Sequence, residues 1–163
     1  MRELKVVFTK SKKKFPIFSW LIMGWTWKSF SHVALEVDMP FLENPMYWQA
    51  SEGKVNYEYK THFDRENEIV EVRTVEVSDD IYNKMMKLRL KSAGQNYGFA
   101  QNIGIVLVDI LNLLGVKVDN PFKKGTNCSE LLYLHVFKVL DPTLDYNPDT
   151  IKPHHILKII DKK

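Results

Sequence analysis

The sequence predicts an α+β domain in which an antiparallel sheet from the first half of the chain is covered by helices from the second. Three observations lead there. Period-two alternation recurs in five short segments before residue 78. After that point helical spacing takes over, with recognisable start and stop signals. No repeat, linker or break in composition separates the halves, so residues 1–163 read as one domain.

The strands come first. Leu4 to Thr9 is apolar and β-rich, and the basic turn Lys10 to Lys14 follows it. Phe15 to Lys28 reads as a buried or half-buried helix, with Pro16 in its first turn and Ile17, Trp20, Leu21 and Met23 as its apolar residues. Ser31 to Val37 alternates, placing His32, Ala34 and Glu36 on one face and Val33, Leu35 and Val37 on the other. Pro40 and Asn44-Pro45 turn the chain. Met46 to Ala50 and Gly53 to Tyr59 are the next strands, tightly joined through Ser51-Glu52-Gly53, and Ile69 to Val77 is the last. Ser78 then caps a helix with Asp79 and Asp80 in its first turn, where the macrodipole favours acids; it stops near Gly94. A second helix spans about Phe99 to Leu114 and stops at Gly115. A third covers Asn127 to Leu140, with Pro142 beyond it. The tail from Pro148 holds a turn and a short helix or strand.

Composition narrows the function. Apolar residues make up 45% and charged residues 26%, a globular balance. A chain of this length buries roughly 70% of its unfolded surface and needs no disulfide to hold a core. One cysteine excludes a disulfide framework and any multi-cysteine metal site. A net charge of +3 is too small to argue for nucleic acid. The N-terminus runs straight into a strand, and the longest apolar stretch, Ile103 to Val118, falls short of the ~20 residues a bilayer needs and carries Asp109 and Asn112. A reducing, cytoplasmic setting is the expectation.

The single thiol, Cys128, lies in Gly125-Thr-Asn-Cys-Ser-Glu130, at a loop-to-helix junction. There backbone N–H groups and the dipole favour a thiolate, and the same N–H groups suit an oxyanion. The competing reading is a buried structural cysteine. A nucleophilic thiol needs a base, and His32, inside a strand, stands out among the five histidines. His135 falls within an apolar helix and reads as packed; His62 reads as a loop residue; His154 and His155 follow Pro153. A base is in turn oriented by a third polar group. Gln49, in Tyr47-Trp-Gln-Ala-Ser51, is the first choice. Glu52 is the fallback, on the opposite face by alternation.

In this order the pieces resemble the circularly permuted NlpC/P60 group of papain-like proteins, closest to the YiiX-type hydrolases and more distantly to the lecithin retinol acyltransferases. Ser29-Phe-Ser-His-Val-Ala-Leu35 is similar to the family's histidine strand, and Tyr47-Trp-Gln-Ala-Ser51 to its polar strand. Gln95-Asn-Tyr-Gly98, Asn127-Cys-Ser-Glu-Leu131 and Pro148 to Leu157 look like its later elements. The likeness runs through nearly the whole chain. It departs where relatives carry Glu as the third catalytic group and this chain has Gln49, and where Asn127 replaces an apolar or tyrosine neighbour.

The resemblance implies a permuted papain-like fold and a cysteine hydrolase without metal or organic cofactor. Cys128 would attack an amide or ester carbonyl, His32 would act as base and acid, and Gln49 would orient it. Glu130 is expected to serve the helix N-terminus, and Tyr97 to line the site or to pack. The implied substrates are peptides, peptidoglycan-type amides or acyl esters. Two rivals stand beside this: an inactive binding or structural module on the same fold, and a lipid-interface acyltransferase. The latter would use Phe15, Phe18, Trp20, Trp25 and Trp27 with the lysines at 10 and 12–14 against a membrane surface. That stretch reads more simply as core beside a solvated turn.

Overall fold

The computed structural model describes residues 1–12, 23–24, 28–39, 41–51, 53–96, 98–122 and 125–162. Most of the helix expected over Phe15 to Lys28 lies outside the described residues, as do Pro40, Glu52 and Tyr97.

Five strands form one sheet: β1 (Arg2–Ser11), β2 (His32–Val37), β3 (Met46–Ser51), β4 (Lys54–Tyr59) and β5 (Asn67–Val77). Their order is β4-β3-β2-β1-β5 and every neighbouring pair is antiparallel. The α+β class therefore holds, with short hairpin connections from β2 to β3 and from β3 to β4. β1 and β5 extend beyond the expected limits because they pair along their whole length, from Arg2↔Val77 to Ser11↔Asn67, with a bulge after Phe8.

Alternation divides the sheet into two unlike faces. One presents Leu4, Val6, Phe8, Val33, Leu35, Val37, Trp48, Ala50, Val55, Val75 and Val77 to the main core. The later helices are α2 (Asp79–Ser92), α3 (Phe99–Leu113), α4 (Cys128–Leu132), α5 (Lys138–Leu140) and α6 (Pro153–Ile160). Met85 of α2, Leu131 and Leu132 of α4 and Ile156 and Ile159 of α6 join this core, while α3 meets the turn at Pro148–Thr150. A π-helical stretch, Tyr133–Phe137, joins α4 to α5, so residues 128–140 form one continuous helical run. Leu131, Leu132, Val136 and Phe137 of that run are fully buried, and α4 packs on β2 and β3. The undecided tail segment is the helix α6, opened by Pro153 and docked through Ile156, Leu157, Ile159 and Ile160.

Among the described residues, the other face gathers Val7, Ala34, Tyr47 and Phe63 as its buried apolar cluster. Phe63 belongs to α1 (Lys60–Glu66), a helix where a loop is expected, so His62 is helical. The segment has no side-chain N-cap, and seven residues are too few to hold a helix alone. What holds it is the Phe63 ring stacked on Tyr47, 4.0 Å between centroids.

Candidate functional site

The site lies where the two faces meet at the start of β2. On the helical side Asn127 is the N-cap of α4: its Oδ1 accepts from Ser129 N and Glu130 N, both at 2.9 Å. Glu130 Oε2 reaches back to Asn127 N at 3.4 Å, completing a capping box. It also accepts from Gln101 Nε2 at 2.9 Å, tying α4 to α3. The sequence Asn-Cys-Ser-Glu thus places Cys128 at the first helical position, beside the positive end of residues 128–140. Asn127 has a structural role that its unusual identity did not announce, and Glu130 serves the helix terminus.

On the sheet side His32 opens β2 opposite Thr9 of β1. The β2–β3 register, Glu36↔Tyr47 and Leu35↔Trp48, continues to set His32 diagonally across from Gln49 on the same face. The two side chains meet: His32 Nε2 lies 2.7 Å from Gln49 Oε1. Gln49 Nε2 in turn donates to Glu58 Oε2, and Glu58 Oε1 is bonded to His62 Nδ1. The structure therefore brings together Cys128, His32 and Gln49, and adds Glu58 and His62, which sequence reasoning missed. A signal for Glu58 existed. The tight β3–β4 connection pairs Gln49 with Asn56 and Tyr47 with Glu58, which puts Glu58 on the face of Gln49.

Cys128 is 5% exposed, Gln49 1%, and His32 partly buried. Burial pushes the Cys128 thiol up, but the His32 charge, a hydrogen bond with His32, the Val33 backbone N–H and the Ser129 hydroxyl bring it below its ordinary value. Burial pushes His32 down, yet Cys128, through charge and hydrogen bond, the bond to Gln49 and the charge of Glu58 together hold it above its ordinary value. Opposite shifts in one pair favour thiolate and imidazolium together.

Beside the thiol is a cavity of about 20 Å³, lined by Ser31, Ile105, Asn127, Cys128, Ser129 and Ile151 among others. That is about the room one water fills. Asn127 Nδ2 is buried without a hydrogen-bond partner among the described residues. His135 sits apart from the site: its Nδ1 lies 3.1 Å from Leu131 O and its ring meets Trp48 edge-on. The rings of His154 and His155 in α6 lie tilted against one another, 4.1 Å between centroids. Among the described residues no group of three or more His, Cys, Asp or Glu is placed to hold a metal ion, and no helix is long and apolar enough to cross a membrane.

No family model matches this chain, and no curated protein matches it.

Proposed function

We propose that the chain is a cysteine hydrolase of amide or ester bonds on a permuted papain-like fold. The observation that carries the reading is the side-chain series Cys128–His32–Gln49 at a helix N-terminus. Because Gln49 Oε1 can only accept, the hydrogen of a neutral imidazole sits on Nε2 and Nδ1 is left for the thiol. In the reaction the Cys128 thiolate attacks the carbonyl carbon and forms the C–S bond. His32 gives its proton to the departing amine or alcohol as the scissile C–N or C–O bond breaks, leaving a thioester. Water then attacks the thioester and gives a proton to His32, and the C–S bond breaks to release the acid. The Cys128 N–H supports the oxyanion, and the amide of Asn127, a residue lining the same cavity, is offered as a further donor.

One observation favours an acyl-ester substrate. α3 lines the cavity through Ile105 and also exposes Ile103, Leu107, Ile110 and Leu113, with Leu114 exposed just beyond its end. By helical spacing Ile103, Leu107 and Ile110 lie opposite Ile105; an exposed apolar face on the helix that walls the cavity suits a lipid interface, which is the acyltransferase reading.

Incubation with p-nitrophenyl acetate, followed by intact-mass analysis, tests the proposal. Acetylation of Cys128, reversed by hydroxylamine and absent in Cys128→Ala, is expected. A thiol that takes neither this ester nor iodoacetamide in the native protein overturns it in favour of an inactive module.

A further inference from the structure

Glu58 lies outside every pattern that led to the site, yet it holds the far end of Gln49. A side-chain amide has two ends of nearly equal shape, and only its partners decide which faces the histidine. With oxygen toward His32 the amide accepts from Nε2–H and leaves Nδ1 free for the thiol. Turned over, it would set N–H against Nε2–H. The imidazole could relieve that clash only by moving its hydrogen to Nδ1, where it can no longer take a proton from Cys128. Gln49 is 1% exposed, so solvent cannot stand in for a lost partner.

A carboxylate accepts and cannot donate, so Glu58 Oε2 can be bonded only to the nitrogen end of Gln49. Its other oxygen is held by His62 of α1, and its side chain is 14% exposed. We propose that Glu58 is a positioning residue that locks the amide of Gln49 and thereby selects the tautomer of His32. The role rests on the hydrolase reading for its purpose, though not for its geometry. It gives this chain a carboxylate one step behind the position where its look-alikes carry theirs. It also explains what α1 contributes, since that helix delivers His62 to Glu58.

The test uses the full chain. His32 tautomers are read from imidazole ¹⁵N shifts in a Cys128→Ala background, where no thiolate holds the ring protonated, and alkylation of Cys128 by iodoacetamide is timed at pH 7. With Glu58 intact the Nε2–H form should dominate. Glu58→Ala should populate the Nδ1–H form and slow alkylation about tenfold, the equivalent of one pKa unit. Glu58→Gln keeps an acceptor for Gln49 and should retain the Nε2–H form and a rate within about threefold of the parent. Unchanged tautomers in Glu58→Ala overturn the proposal. So does Glu58→Gln failing as badly as Glu58→Ala, which would assign the effect to charge alone. A parent thiol that alkylates no faster than a free one sinks the hydrolase reading, while the tautomer comparison still decides the role of Glu58.

Discussion

The two faces of the sheet are built on opposite plans. The helix-covered face is dry: Val33, Leu35, Trp48 and Ala50 pack against Leu131, Leu132, Val136 and Phe137, all fully buried. The other face keeps a small apolar cluster under Phe63 and carries His32, Gln49, Glu58 and Glu36 in hydrogen bonds and ion pairs. The dry face positions the thiol, because α4 can dock in only one way on a close-packed surface. The polar face positions the base, because each side chain there is oriented by a directional bond. Rigidity reaches the site from packing on one side and from hydrogen bonding on the other.

The largest effect is expected on the polar side. His32→Ala should lower turnover by about 10²–10⁴ and move the alkylation midpoint of Cys128 up to or above the ~8.5 of a free thiol. Stopped-flow alkylation across pH gives the midpoint, and hydrolysis of an activated ester gives the turnover. The parent should show a bell-shaped turnover profile. Activity rises as pH passes the depressed Cys128 pKa and falls as pH passes the raised His32 pKa, where the acid is lost.

On the dry side, Leu131→Ala removes a fully buried side chain and should cost about 2–5 kcal/mol in denaturant unfolding. Val72, opposite Val7 in β5, is 45% exposed, and Val72→Ala should stay within about 0.5 kcal/mol. Equal costs would mean that the faces differ less than their burial implies.

A charge exchange probes the polar face more finely. Gln49→Glu sets a carboxylate directly against Glu58, which raises the pKa of one of the two. Turnover at neutral pH should fall roughly tenfold, and Gln49→Glu combined with Glu58→Gln should recover most of it. The nearest carboxylate would then touch His32 itself.

A separate, pH-dependent effect lies at α6. Burial, the neighbouring His155 and nearby lysines lower His154 to about 3, and burial with Lys152 and Lys158 lowers His155 to about 4. Both are neutral in the fold and take up protons more readily when unfolded. Their contribution is therefore complete above about 6.5 and is lost as pH falls from there toward 4 and 3. Near-UV circular dichroism should show acid loosening in that window, and His154→Phe should shift it to lower pH.

Residue order alone sets the local frame. Alternation in residues 31–37 already separates His32 from Val33, the loop-to-helix junction already sets Cys128 at a helix start, and the short connection between Ser51 and Lys54 already sets Gln49 against Asn56. These are legible because they follow from the two-residue period of a strand and from side chains reaching N–H groups two or three residues away. Long-range packing supplies the rest. α1 exists because Phe63 finds Tyr47, which local propensity does not encode. His62 joins the site because α1 brings it to the second oxygen of Glu58. The opposite shifts of Cys128 and His32 depend on α4 docking on β2, which joins groups far apart in sequence. A pKa shift of that kind is a property of two charges brought together in a desolvated place, and the distance between them is set by packing rather than by the order of residues.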